Sequence, residues 1–309
     1  MIQVEDLRKE YDGLVAVDDV SFVAEPGSIF GLLGPNGAGK STTIGCISGL
    51  LPPTGGSVRV QGHDIARQPR AAKSRMGIVP QEIALYEDLP AAENLRFWAE
   101  AYGLRGAPLR DRVRSVLATV GLLDRADDRV ETFSGGMKRR LNFGCGIVHE
   151  PEVLLLDEPT VGVDPQSRVK LLDLVREQAS SGVCVLYTTH YMEEAEALCD
   201  RLAILDHGTI IAAGTMEELR GSMGERDLVR LSGTFDPEAV RAAGGSLDGV
   251  EVVAAGGDQV ALAVPEASRR LPELLAAVAA TGAEVRETTV TRPSLESLFI
   301  RLTGKELRE

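Results

Sequence analysis

The chain has 309 residues, of which 44% are hydrophobic and only 4% aromatic, and it carries a formal charge of −13. That length accommodates one large α/β domain plus a smaller one. The acidic balance and scarce aromatics argue against a nucleic-acid or anionic-membrane binder, which needs a basic surface and, for single strands, stacking rings. Cys46, Cys145, Cys184 and Cys199 share no metal-ligand spacing and sit among apolar or small residues, the pattern of buried reduced thiols in a cytosolic protein. The opening MIQVEDLRKEY lacks the apolar core of a secretory signal, and no apolar run approaches the about 20 residues of a membrane helix.

Residues 1–30 predict three strands. IQVEDLRKEY and VAVDDVSFVA alternate as half-buried strands do, whereas SIFGLLG is continuously apolar, like a central parallel strand. GPNGAGKSTTIGCISGLL changes to helical spacing, with Ile44, Ile47 and Leu51 on one face. LPPTGGSVRVQG is a turn and a short strand. From about Pro90 to Leu123 two helical segments, AAENLRFWAEAYGL and LRDRVRSVLATVGLL, flank a break at Gly103 to Pro108. GGMKRRLNFGCGIVHE predicts a helix after Ser134. EVLLLDEP and VCVLYTTH read as buried strands, PQSRVKLLDLVREQASSG and YMEEAEALC as helices, and RLAILDHGTIIAAG as a hairpin turned at His207-Gly208. Small and polar residues at Arg220 to Glu225 mark a boundary. Beyond it the elements run β-α-β-β-α-β, the split-βαβ order, with SLESLFIRLTGKEL as a last helix.

Three strings carry chemistry. GPNGAGKS at Gly34 to Ser41 fits G-x-x-x-x-G-K-[ST] between an apolar strand and a helix. Its glycines let successive backbone amides turn onto phosphates, Lys40 can reach the β- and γ-phosphates, and Ser41 can bind Mg²⁺. By itself this says only nucleoside triphosphate. LLLDEP adds Asp157, a strand-end carboxylate suited to a Mg²⁺ water, and Glu158, suited to polarise the attacking water as general base. FSGGMKRRL sets Ser134, Gly135 and Gly136 at a helix start, a second anion-binding device.

Together these strings resemble the nucleotide-binding domain of ATP-binding-cassette (ABC) transporters, from Tyr11 to about Gly214. GPNGAGKST resembles the Walker A motif, VLLLDEP the Walker B, and SGGMKRR the family signature. VPQ around Gln81 resembles the Q-loop, VGVDP around Asp164 the D-loop, and TTH at His190 the switch histidine. The resemblance implies an α/β fold: a P-loop NTPase cassette over residues 1–222, with a RecA-like core, an antiparallel β subdomain and a helical subdomain at about 85–150. A small α+β domain of split-βαβ order would follow at 225–309.

The resemblance also implies roles. Tyr11 would stack on the adenine of ATP. Gly34, Pro35, Asn36, Gly37, Ala38, Gly39, Lys40, Ser41, Thr42 and Thr43 would wrap its phosphates. Ser41, Gln81 and Asp157 would serve the Mg²⁺, and Glu158, His190 and Gln81 the hydrolysis. Ser134, Gly135, Gly136 and Asp164 would meet the ATP of a second copy in a head-to-tail sandwich. Met137, TVGVDPQSR and PSLESLFIRLTG resemble the drug-exporter branch, daunorubicin-resistance-type ATPases included, although Phe133 and Val163 stand where the family usually has Leu. The implied function is the ATP-hydrolysing motor of an exporter of drugs or lipid-like, amphipathic compounds. Its partners would be a second copy and a separate permease, with no nucleic acid. It would lie in the cytoplasm at the inner face of the membrane, held there only through the permease. The alternative is a soluble ABC-type ATPase acting on nucleic acid or ribosomes; the acidic charge, the short span from Lys40 to Ser134 and the single cassette oppose it.

Other segments have plainer readings. Phe97, Trp98 and Tyr102 fall at near-helical spacing, as packing residues do, and an exposed subset of Leu85, Tyr86, Leu89 and Phe97 would meet the permease. Lys138, Arg139 and Arg140 read as a solvated face near the start of their helix.

Overall fold

Two long strands, β1 (Ile2–Tyr11) and β2 (Leu14–Ala24), pair antiparallel at the start of the chain. The structure is a computed structural model and describes residues 1–222, 226–291 and 295–303. After β3 (Ile29–Leu33) and α1 (Lys40–Ile47) come β4 (Gly55–Val60), β5 (His63–Asp64), α2 (Pro69–Lys73) and β6 (Met76–Val79). β2, β1, β4 and β5 form one antiparallel sheet in that order. Alternation in β1 buries Ile2 and Val4 but then Leu7, because the register slips between Val4 and Leu7 at a β-bulge.

The helical segment holds α3 (Ala91–Ala101), α4 (Gly106–Thr119) and α5 (Gly135–Ile147). α4 begins at Gly106, inside the expected break, since Pro108 falls in the first turn, where a missing N–H leaves no bond unmade. α1 in turn stops at Ile47, short of Leu51, which nevertheless packs on the core.

The main sheet continues with β7 (Val153–Asp157), α6 (Pro165–Ser180), β8 (Cys184–Thr189), α7 (Met192–Leu198), β9 (Arg201–Asp206) and β10 (Thr209–Gly214). Its order is β10-β9-β3-β8-β7-β6, parallel from β9 through β6. β3 and β8 are buried along their whole length, the apolar run of β3 as a central parallel strand should be and β8 even through Thr188 and Thr189.

The remaining elements are α8 (Met216–Ser222), β11 (Arg226–Thr234), α9 (Pro237–Gly245), β12 (Glu251–Ala255), β13 (Gln259–Pro265), α10 (Ala267–Ala279), β14 (Glu284–Thr291) and α11 (Leu295–Thr303). The sheet order β12-β13-β11-β14, antiparallel throughout, is the one a split βαβ generates. Val229, Leu231, Leu262, Leu274 and Val278 fill one core, and Ile300 of α11 packs with Leu228 and Ala261. The chain divides into two compact units, Met1–Ile211 and Ala212–Glu309. α8, which the sequence reading did not foresee, packs with α11 in the second unit. Of the expected boundary segment, residues 223–225 lie outside the described residues, as do 294 and 304–307 of the expected last helix. No helix among the described residues is long and apolar enough to cross a membrane.

Candidate functional site

The carboxyl ends of β3, β8, β7 and β6 stand side by side in the main sheet, and each delivers part of one cluster. β3 runs into the Gly34 to Gly39 loop and α1, β8 into His190, β7 into Asp157-Glu158, and β6 toward Gln81.

In the loop, Gly39 has φ +103, and a Cβ there would lie 2.6 Å from Ala16 O, so only glycine fits. Asn36, Gly37 and Ser41 are exposed, Pro35 and Thr42 half-buried, and Gly34 and Ala38 buried. Thr43 is fully buried and donates its hydroxyl to Gly39 O at 2.9 Å, tying the loop to the helix. Lys40 is buried as well. Its Nζ donates to Gly34 O at 2.7 Å and Pro35 O at 2.9 Å, and lies 2.9 Å from Glu158 Oε1.

Glu158 is the node of the cluster. Besides Lys40, its carboxylate accepts from His190, with Nδ1 at 3.0 Å from Oε2, and stands 3.5 Å from Gln81 Nε2. A buried carboxylate needs such neighbours to offset its lost hydration. Its backbone sits at φ +43, in the left-handed region that a residue with a Cβ seldom enters. The turn is braced by Glu158 N donating to Thr188 Oγ1 at 3.0 Å, while the Thr188 hydroxyl donates to Asp157 Oδ1 at 2.8 Å.

A second cluster gathers the signature segment. Ser134 caps α5, accepting from Met137 N at 3.3 Å, and Asp164 caps α6, accepting from Gln166 N and Ser167 N at 3.1 and 3.0 Å. The Ser167 hydroxyl and amide hold the Asp164 carboxyl below its ordinary value. A Cβ on Gly136 would lie 2.0 Å from Ser167 Oγ, so glycine lets α5 meet the start of α6. No side-chain hydrogen bond among the described residues joins Ser134 or Asp164 to Lys40, Glu158 or His190. Tyr11 ends β1, 38% exposed and with Lys9 Nζ 4.6 Å from its ring centroid.

The expected solvated face of Lys138, Arg139 and Arg140 is corrected by the structure. Arg139 is buried and donates to Gln81 O at 2.5 Å and Val161 O at 2.9 Å. Arg140 donates to Val120 O, and Lys138 pairs with Glu87 at 2.7 Å. Of the expected packing residues, Phe97 and Tyr102 are exposed at 45% and 39%, and Phe97 meets the edge of exposed Tyr86. The sequence reading also missed Glu194. This buried side chain accepts from Tyr187 OH at 2.8 Å and Thr189 Oγ1 at 2.9 Å and lies 3.0 Å from Arg168, whose guanidinium covers Tyr191 beside His190. Helical spacing was the available signal, since Glu194 shares the buried face with Ala195 and Leu198. The four cysteines are free and buried, and burial pushes each thiol up, Cys145 to about 12.

A glycine-rich strand-to-helix loop beside a strand-end Asp-Glu pair, on a parallel sheet, defines the P-loop NTPase class. The ABC transporter family matches residues 17–161, and the C-terminal domain of DrrA1-3-like ATP-binding proteins matches 214–303. The linearmycin resistance ATP-binding protein LnrL of Bacillus subtilis is 45% identical over 311 residues, covering both chains fully. The daunorubicin/doxorubicin resistance ATP-binding protein DrrA of Streptomyces peucetius is 39% identical, over 98% of this chain and 92% of its own. A solved ATP-binding subunit of an ABC transporter is similar at a TM-score of 0.67 and 36% identity, over 72% of this chain and 93% of that one. The chain belongs to the ATP-binding subunits of ABC transporters, in the branch with a DrrA-like C-terminal domain. It is an ATP-hydrolysing motor subunit, and the nucleic-acid or ribosome alternative is not favoured.

Proposed function

We propose that this chain drives the export of drug-like or amphipathic compounds through a separate permease, as one half of a two-site ATP clamp. Relatives named for resistance along the whole chain support export, and a DrrA-like C-terminal domain fits that branch. The chain meets the cytoplasmic face of the membrane through the permease, with exposed Tyr86, Leu89 and Phe97 as an apolar contact.

The single observation that carries the hydrolytic reading is the convergence of Lys40, His190 and Gln81 on the Glu158 carboxylate. Glu158 is the general base that takes the proton of the attacking water. His190 and Gln81 hold that water and carboxylate in line, and Lys40 turns from Glu158 to the phosphates of the bound nucleotide. Exposed Asn36, Gly37 and Ser41 offer the rest of the phosphate cradle, and Tyr11 keeps one ring face for the adenine. Ser41, Asp157 and Gln81 would hold Mg²⁺; their hydroxyl, carboxylate and amide oxygens are the hard donors that this ion takes alongside waters. The ion supplies charge neutralisation on the phosphates. Ser134, Gly135, Gly136 and Asp164, whose side chains share no hydrogen bond with Lys40 among the described residues, complete the site of a second copy.

Glu158→Gln tests the reading. It keeps the shape and leaves no base, so ATP turnover should fall at least about a hundredfold while ATP binding persists. Undiminished turnover in a folded variant would remove Glu158 from the mechanism.

A further inference from the structure

Gln81 belongs to a short segment between β6 and α3 that is held by the signature helix at two points. Arg139 Nη1 donates to Gln81 O at 2.5 Å, and Asn142, one turn further along α5, accepts from Ala84 N at 3.1 Å through Oδ1. The same guanidinium reaches the other half of the hydrolytic cluster, since Nη2 donates to Val161 O at 2.9 Å, in the turn that follows Glu158. Both side chains are nine-tenths or more buried, Arg139 at 7% exposure and Asn142 at 2%. Neither is fully satisfied, because Arg139 Nε and Asn142 Nδ2 are buried without a hydrogen-bond partner. Each side chain instead serves backbone groups of segments far off in sequence, Gln81 O and Val161 O for Arg139 and Ala84 N for Asn142, so the pair joins those segments rather than only filling space.

We infer that Arg139 and Asn142 are positioning residues, a clamp through which the signature helix sets Gln81 and Glu158 against each other within one chain. The inference rests on the proposed role of Glu158. Arg139 lies five residues past Ser134, in the helix that Ser134 caps. A shift of α5 imposed by what meets Ser134 would therefore reach the Gln81 backbone through Arg139, and with it the 3.5 Å Gln81–Glu158 contact. The clamp links the half-site a chain lends to its partner with the half-site it keeps.

The test uses the full chain, with steady-state ATP turnover, affinity for a fluorescent ATP analogue and thermal unfolding measured together. Arg139→Met and Asn142→Leu should each lower kcat by about ten- to a hundredfold, with analogue affinity within about twofold of wild type. Arg139→Lys should recover most of the rate, because an ammonium can donate to both carbonyls. The double variant should be no slower than the slower single one, as expected of two residues in one device. Wild-type kcat in folded Asn142→Leu and Arg139→Met would overturn the clamp. So would loss of rate, affinity and unfolding temperature in step, or Arg139→Lys as slow as Arg139→Met. Should Arg139→Met not fold, Asn142→Leu and Arg139→Lys decide. Glu158→Gln, assayed alongside, separates the two claims: its inactivity with unaffected clamp variants sinks the clamp alone, whereas its full turnover removes the reading beneath it.

Discussion

His149, just beyond α5, has no part in the nucleotide cluster yet carries the clearest pH dependence in the first unit. Its ring stacks on Tyr102 with centroids 3.5 Å apart and planes at 6°. Nε2 lies 3.1 Å from Met76 O, so the neutral ring donates there and leaves Nδ1 buried without a partner. Burial, seconded by the charge of Arg112, holds the imidazole down at about 4, against an ordinary 6.5. Between those values the unfolded chain binds the proton and the folded chain does not, so stability drops as pH falls through the window and is restored above it. The unfolding temperature of wild type should therefore fall more steeply from about pH 7 to about pH 4.5 than that of His149→Gln. Parallel curves would contradict the assignment. The histidine was not legible as special in the sequence, where it falls near the end of a predicted helix that in fact stops at Ile147. The nearness of Lys40 to Glu158 was suggested by the sequence, because fixed spacings of chemical types, one in a strand-to-helix loop and one at a strand end, carry their meaning locally.

Elements were readable where burial follows a simple period. β3 is a run of apolar residues and β7 and β8 begin as such runs, and the β-α-β-β-α-β order beyond residue 225 led to the observed sheet order. The bulge in β1 and the burial of Arg139 were not readable. The partners of Arg139 are backbone carbonyls of Gln81 and Val161, far off in sequence, and nothing in MKRR announces them. The close approach of α5 and α6 at Gly136 is of the same kind and makes its own prediction. Gly136→Ala would drive a methyl against Ser167 Oγ at 2.0 Å and Ser167 Cβ at 2.6 Å, an overpacking that should cost about 1–3 kcal/mol. In a Ser167→Gly background the next atom is Asp164 Oδ2 at 3.2 Å, so denaturant unfolding should assign the same substitution less than half that cost. Equal costs in both backgrounds would mean that the contact does not set the separation of the two helices.

Across the whole molecule, the residues expected to serve one ATP fall into two groups. Lys40, Gln81, Glu158 and His190 converge at the carboxyl edge of the main sheet, while Ser134, Gly136 and Asp164 cluster at the starts of α5 and α6. That division was only partly legible in the sequence. The motifs name both groups, but their separation depends on how α3, α4 and α5 stand between β6 and β7, which no local pattern specifies. The central claim, that each working site takes one group from each of two copies, is tested by mixing two inactive chains. On the proposed roles, Lys40→Ala loses the phosphate-binding lysine and Ser134→Arg the signature contact, so each alone should be without ATP turnover. A mixed pair unites the intact Lys40 of one chain with the intact Ser134 of the other. Turnover should reappear on mixing, up to about a quarter of the wild-type rate for random pairing. Substantial turnover by Ser134→Arg alone, or none in a mixture whose chains demonstrably pair, would contradict the two-copy site.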